Sequence, residues 1–235
     1  MLMRRAFTVP KAPDIPNEDT FRVSPRKSTY ALSDGASISY DSAAWSRIVA
    51  THYVKRPIIT REWLDGCIAD FNRQHDRETM PWHMQGAYDR GSFASLLGVR
   101  VTPNNELHIV AIGDSLAVLC DGPHLSNTFP YQTAQQFDDA PMLLSSNRSK
   151  NPIFTDDVLS DDKTCVWPLQ HLNNPRLYCV TDALGQWLLA QSDETTAAIE
   201  RIGGLRTRRA FERFVLDERS AKRLKRDDTT MLVFW

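Results

Sequence analysis

The chain has 235 residues, 42% of them hydrophobic, with 28 basic and 29 acidic side chains and a formal charge of -1. That length and apolar content suit one domain, residues 1–235, with a substantial core, and the balanced charge leaves no field for nucleic acid or an anionic membrane. No stretch approaches the roughly 18 apolar residues of a membrane span, so a soluble, cytoplasmic protein is expected. Arg4 and Arg5 are not followed by an apolar region, so no leader is expected either. Cys67, Cys120, Cys165 and Cys179 lie far apart with no C-x-x-C pair, the pattern of reduced, mostly buried thiols.

Residues 6–9 (A-F-T-V) predict a short strand ended by Pro10, and 11–16, with two more prolines, an extended loop. Asn17, Glu18 and Asp19 lead into a strand at 20–23, where Phe21 and Val23 alternate with polar residues. An isolated acid pair of this kind is ordinarily a solvated loop end. Its interest comes from the stretch 28–37 (S-T-Y-A-L-S-D-G-A-S), around which the chain is organised. There a buried strand through Tyr30, Ala31 and Leu32 delivers Asp34 and Gly35 to an open end, where a carboxylate and an unhindered carbonyl face one spot.

Asp41 or Ser42 then caps a helix carrying Ala43, Trp45, Ile48 and Val49 on one face; Pro57 ends it, and Thr60 opens a second with Trp63, Leu64, Cys67, Ile68 and Phe71. Both tryptophans belong to the core. Residues 72–90 predict a mixture of helix end and loop, with His75 and His83, which lack metal-ligand spacing, at the surface.

From Gly91, strands at 92–102, 106–112 and 115–120, joined by turns at 103–105 and Gly113-Asp114, predict an antiparallel meander, with a further strand at 125–129. Periodicity is lost from 131 to 163, among prolines, serines and the acid pairs Asp138-Asp139, Asp156-Asp157 and Asp161-Asp162, which predicts a mobile surface excursion. Strands return at 164–167 and 177–181, the second delivering Asp182 as the earlier one delivers Asp34. Helices follow at 183–190, 195–202 and 210–216; the basic run 219–226 reads as a solvated helix face, and 231–235 as a closing strand preceded by Asp227-Asp228. The result is an α+β domain.

Acids gathered at strand ends repel one another unless a cation joins them, and hard ions such as Mg²⁺ and Mn²⁺ take carboxylate, carbonyl and water oxygens. Two such ions roughly 3.5–4 Å apart would activate a water for in-line attack on phosphorus.

The motifs N-E-D-T-F (17–21), L-S-D-G-A-S (32–37), G-S-F-A-S-L (91–96), A-I-G-D-S (111–115), C-V-T-D-A-L (179–184) and D-D-T-T-M-L-V (227–233) resemble, in order and spacing, those of the metal-dependent protein serine/threonine phosphatases of the type 2C (PPM) class, in their compact bacterial form. The resemblance covers nearly the whole chain and implies an α-β-β-α sandwich of two antiparallel sheets flanked by helices. By it, Asp34 bridges two Mn²⁺ or Mg²⁺ ions; Gly35 and Glu18 complete the sphere of one, and Asp182 and Asp227 hold the other. Asp34 and Asp182 become the catalytic pair, Asp19 orients bound water from behind, and Asp114 helps hold a third, weaker ion. Residues 134–162 fall where the family has a flap beside the site. The implied substrate is a phosphorylated protein, opposed by a serine/threonine kinase, and the implied state a monomer.

Three departures from the family pattern stand out. Its phosphate-gripping Arg, four residues before the Glu, is Asp14 here, which leaves Lys11, or else Arg4 or Arg5, to supply the charge, with Lys11 preferred because its loop runs into the acids. Ala36 replaces a His found in eukaryotic members, and Ala183 replaces a Gly. The leading expectation is hydrolysis of phosphoserine and phosphothreonine by a two-metal-activated water. The alternative is a catalytically weak pseudophosphatase that binds phosphoproteins. A structural protein with merely solvated acids is the third reading, and it predicts no effect of metal on stability.

Overall fold

The computed structural model describes residues 1–155, 157–191 and 194–235; Asp156, from one of the acid pairs, lies outside the described residues. Three strands, β1 (Met3–Val9), β2 (Thr20–Ser24) and β3 (Thr29–Ser33), precede three helices, α1 (Ser42–Lys55), α2 (Arg61–Gln74) and α3 (Trp82–Arg90). The strands β4 (Phe93–Ala94), β5 (Leu96–Val101), β6 (Glu106–Ile112), β7 (Leu116–Asp121) and β8 (His124–Phe129) follow. After them come β9 (Leu144–Ser145), β10 (Phe154–Thr155), β11 (Val158–Leu159), β12 (Thr164–Pro168) and β13 (Pro175–Val180). Helices α4 (Asp182–Leu189), α5 (Thr195–Gly203) and α6 (Arg208–Ser220) lead to β14 (Thr229–Phe234). No helix among the described residues is long and apolar enough to cross a membrane.

Two five-stranded antiparallel sheets, in the orders β1-β14-β13-β7-β8 and β12-β6-β5-β3-β2, pack face to face between helical layers, the predicted α-β-β-α sandwich. Side chains alternate across each strand, so a strand buried on both faces feeds two cores. In β14, Met231 and Val233 meet the helices while Leu232 and Phe234 meet the other sheet; in β13, Tyr178 and Val180 point out, and Leu177 and Cys179 in. Tyr30 and Leu32 of β3 answer across the sandwich, and the rings of Tyr30 and Phe234 meet edge to face at 4.8 Å. Trp45, Val49, Leu64 and Phe71 cover the outer face of the second sheet, so both helix tryptophans are core, as their spacing predicts. Capping fixes where these helices begin: the side chain of Asp41 accepts from the backbone N–H of Ala44, that of Thr60 from Trp63, and that of Thr207 from Ala210. All four cysteines are free thiols.

Four local expectations are corrected. Residues 82–90 form a full helix, α3, where a mixture of helix end and loop was expected. His75 is only 13% exposed and packs 4.5 Å from the Phe71 ring, so it belongs to the protein's interior edge rather than its surface. The 131–163 stretch contains short strand pairs: β9 joins β4, and β10 joins β11. Their two-residue length is too short for any periodicity to show. Helix α6 stops at Ser220, so most of the basic run lies beyond it.

The helical layer over the first sheet is tied by a buried carboxylate. Glu218 is fully enclosed, accepts from Trp187 Nε1 at 2.9 Å and from Arg223 at 2.7 and 2.8 Å, and pairs with Arg201 at 2.7 Å. The hydrogen bonds of Arg223 first, then those of Trp187 and Arg201, hold its pKa down to about 2 against the opposing effect of burial. The guanidiniums are half exposed, so solvent limits the value of the network to roughly 1–3 kcal/mol. A depressed carboxylate stabilises above its unfolded value, 4.5, and loses that contribution as pH falls toward about 2. Glu218→Gln should therefore lower stability by roughly 1–3 kcal/mol at neutral pH in urea melts, with the gap to wild type closing across that acid window.

Candidate functional site

The predicted acids meet at one end of the sandwich. Glu18 and Asp19 precede β2, Asp34 follows β3, Asp114 sits in the β6–β7 turn, Asp182 follows β13 and Asp227 precedes β14. Register explains why these are all the same end: Thr20 pairs with Ser33, Leu96 with Ile112, and Val180 with both Leu116 and Met231.

Local hydrogen bonds lock the Asp34-Gly35 turn. Ser95 N–H donates to the carbonyl of Asp34 at 2.8 Å, and Asp34 N–H to Ser95 Oγ at 3.0 Å; Ser95 Oγ lies 2.9 Å from Ser115 Oγ. Gly35 bridges to Ala94, and a Cβ at this position would lie 2.7 Å from the Ser42 carbonyl oxygen. Glycine is thus required by the start of α1 alone, whatever else its carbonyl does.

Burial and mutual repulsion dominate the electrostatics. Asp34 is pushed well above the ordinary carboxylate range, by desolvation first and then by Asp19, Asp182, Asp114 and Asp227. Asp19 also rises, through burial and then Asp228 and Asp182, and Asp114 is pushed up to about 6 by burial and Asp182. Thr230 Oγ1 donates to Asp19 Oδ2 at 2.7 Å and Thr181 Oγ1 at 3.2 Å, whereas Asp19 Oδ1 is buried without a partner. Lys225 Nζ donates to Asp182 Oδ2 at 2.8 Å and lies 3.5 Å from Asp227 Oδ2, while Asp182 Oδ1 is likewise orphaned. Burial would lower the Lys225 pKa, but the bond to Asp182 and the charge of Asp227 raise it.

Among the described residues no three His, Cys, Asp or Glu side chains close into a finished metal cage. What this end of the sandwich offers is an all-oxygen donor set, an orphaned Asp182 oxygen at the pocket and an orphaned Asp19 oxygen behind it, and an ammonium already drawn between two of the acids. That chemistry fits a hard divalent cation. The pocket, about 240 Å³, is also lined by Pro141 and Leu143, so the 134–162 segment borders the acids.

Glu18 and Lys11 sit next door. Glu18 Oε2 accepts from Lys11 Nζ at 2.7 Å and from Ser37 Oγ, and Oε1 accepts from Ser42 Oγ, in an adjoining pocket that shares Ser37 with the first. Burial pushes the Glu18 pKa up, but the bonds from Lys11, Ser37 and Ser42 bring it below its ordinary value. Asp14 is exposed on the loop above.

Sequence reasoning left three residues without a role. Asp228 accepts from the backbone N–H of Lys11 at 2.6 Å and of Glu18 at 2.7 Å, pinning the N-terminal loop. Arg219 donates to the carbonyl of Pro10 at 2.9 Å and to Thr229 Oγ1 at 3.0 Å, bracing the same loop against β14. Lys225 is the third. The signal available for Asp228 was the acid doublet before β14; Lys225 and Arg219 were hidden in a basic run whose helix ends partway.

No family model matches the sequence, and no curated protein does. Solved structures share its fold over almost all of its length. The serine/threonine phosphatase Stp1 from Staphylococcus aureus matches at a TM-score of 0.61 and 14% identity, over 99% of this chain and 94% of that one. The catalytic domain of the serine/threonine protein phosphatase PstP, in complex with two manganese ions, matches at 0.59 and 16%, over 99% and 97%. The Mycobacterium tuberculosis phosphatase PstP/Ppp matches at 0.56 and 18%, over 99% and 98%. At these identities the likeness establishes the architecture: this chain has the fold of the bacterial PPM-type serine/threonine phosphatases.

Proposed function

We propose that the chain is a metal-dependent phosphoprotein phosphatase acting on phosphoserine and phosphothreonine. The observation that carries this reading is the gathering of Asp19, Asp34, Asp114, Asp182 and Asp227 at one end of the sandwich, where burial and neighbouring charge raise the pKa values of Asp19, Asp34 and Asp114. Such a cluster is unfavourable in a protein that holds no cation there. Asp34, the Gly35 carbonyl, Asp182 and Asp227 would hold two Mn²⁺ or Mg²⁺ ions, with Glu18 turning in from its present partners and Asp114 serving a third. When bound, the ions would supply Lewis acidity and make a water nucleophilic near neutral pH.

The chain's own residues do the rest. Ser95 fixes the carboxylate of Asp34 through its backbone. Asp19, held through Oδ2 by Thr181 and Thr230, keeps Oδ1 free and would orient a water held by the ions. Lys11, whose ammonium lies 2.6 Å from Ser37 Oγ at the border of the two pockets, grips the substrate phosphate as a point charge. No acid stands at Ala36, so the leaving alkoxide takes its proton from solvent. Pro141 and Leu143 make the 134–162 segment a flap that shapes substrate choice. The partners are a phosphorylated protein and an opposing kinase, and the chain acts as a cytoplasmic monomer of one domain.

One observation favours the second reading, a weak pseudophosphatase that binds phosphoproteins: Lys225 already neutralises Asp182 and Asp227. Hydrolysis of a phosphothreonine peptide separates the two. Turnover should require Mn²⁺ or Mg²⁺, stop in EDTA and fall at least ~100-fold in Asp34→Asn; turnover unaffected by EDTA would refute the metal reading. Melts should show a Mn²⁺-dependent rise in wild type that Asp34→Asn lacks. Lys11→Ala should lower kcat/KM roughly tenfold, mostly through KM, because the lost contact is to bound phosphate. Lys225→Ala should tighten Mn²⁺ binding by roughly tenfold in calorimetry, since the ion no longer displaces an ammonium; unchanged affinity would mean that Lys225 does not compete.

A further inference from the structure

The first sheet has a second charged end. At the opposite limit of β1, β13 and β14 from the acids, Arg5, Arg176 and Arg206 line a cavity of about 190 Å³ with Tyr178, Gly203 and Trp235. Register puts Arg5 and Tyr178 on either side of Val233, in one row on the helix-facing side of the sheet, and Arg176 lies two residues before Tyr178 on that same side. Arg206 enters from the connection between α5 and α6. The cavity is therefore built mainly on three strands and the end of α5, with Arg206 contributed by the short connection that follows.

Its chemistry lacks a partner. Among the described residues no carboxylate pairs with any of the three arginines, and no acid lines the cavity. Arg5 spends only Nη1 internally, on the carbonyls of Gly203 at 3.4 Å and Leu205 at 3.1 Å, and its guanidinium stacks 4.6 Å over the Trp235 ring. These contacts hold the fork open toward the cavity. Burial, then the neighbouring Arg206, lowers the Arg5 pKa, the mark of positive charges gathered without an anion. Tyr178 is fully buried, and its hydroxyl hydrogen has no acceptor; the neighbouring Arg176 guanidinium faces Oη as a donor and lowers the phenol's pKa against the larger effect of burial. Burial first keeps the phenol protonated, so Oη offers a hydrogen. A Cβ on Gly203 would come within 2.8 Å of that Oη and 3.5 Å of Arg176 Nη1; glycine keeps the space open.

We propose that this cavity is a second anion site, taking a tetrahedral dianion of the phosphate class, either free inorganic phosphate or the phosphoryl group of a phosphoprotein. Guanidinium forks and a phenol donor match its oxygens, and the volume admits one phosphate with a few waters. The site is at the far end of the sheet from the acids and does not depend on the metal reading.

The test is inorganic phosphate added to EDTA-treated protein, read as melting temperature and as ³¹P linewidth against sodium chloride of equal ionic strength. Millimolar phosphate should raise the midpoint of wild type by about 3–6 °C and broaden the ³¹P line, and should do the same in Asp34→Asn, whose acid centre is altered. Arg176→Gln/Arg206→Gln should lose both responses, whatever its own basal stability, and Tyr178→Phe should weaken binding roughly tenfold. Competition by a phosphothreonine peptide would assign the source as a phosphoprotein; lack of competition would assign it as free phosphate. A response no larger than that to chloride, one retained in the double arginine variant, or one lost in Asp34→Asn would overturn the proposal.

Discussion

Like charges held together out of water are the constraint around which this molecule is arranged. Asp34 loses hydration on burial, and the charges of Asp19, Asp182, Asp114 and Asp227 add to the cost of ionising it, so it answers to four neighbours at once. Such a cluster persists only if the surrounding fold is rigid enough to hold it. Rigidity comes from the strands: every acid is attached directly, or one residue away, to a strand held in register, and of these strands only β2, at the sheet edge, lacks a partner on one side. The sandwich buries enough apolar surface between and outside its sheets to tolerate that local cost.

Around the cluster, neutralisation is divided between separate devices. Lys225 answers Asp182 and Asp227; Thr181 and Thr230 answer one oxygen of Asp19; Glu18 is satisfied by Lys11, Ser37 and Ser42 in its own adjoining pocket. Asp228 looks like one more acid in the sequence but does a different job, since both its oxygens are spent on backbone N–H groups of the N-terminal loop. Its carboxylate sets where Lys11 and Glu18 stand, and Arg219 reinforces that placement from α6. The N-terminal loop is therefore part of the site through contacts with the last strand, more than two hundred residues away in sequence.

The same strands also link two opposite electrostatic environments. Arg176 stands near the start of β13, which leads to Asp182, and β14 leads from Asp227 to Val233 beside Arg5. An all-antiparallel sheet carries small net dipole, so neither end owes its sign to the backbone. Side chains alone make one end acidic and the other basic, which lets the chain as a whole stay near neutrality, at a formal charge of -1.

Short continuous apolar runs made β3, β13 and β14 readable, the alternation of Phe21 and Val23 made β2 readable, and helical spacing with Asp41 and Thr60 as caps made α1 and α2 readable, because in each case local geometry and the hydrophobic pattern demand the same thing. The strand-end positions of Asp34 and Asp182 were legible for the same reason. Periodicity had nothing to work on in two-residue strands such as β9, and a polar helix such as α3, none of whose residues is buried, carries too weak an apolar stripe to announce itself. Which acids face one another, that Asp228 clamps backbone, that Lys225 turns back into the acids, and that three arginines far apart in sequence share a cavity with a buried tyrosine were decided by tertiary structure alone. Those facts depend on sheet order and on where α6 stops, and a charge in a sequence specifies neither its direction nor its neighbour. By itself the sequence determined an α+β chain with acids placed at strand ends, because burial pattern and strand period are local; the stacking of two sheets came only through the resemblance of its motifs, and the pairing of charges is long-range, so only the folded chain supplies it.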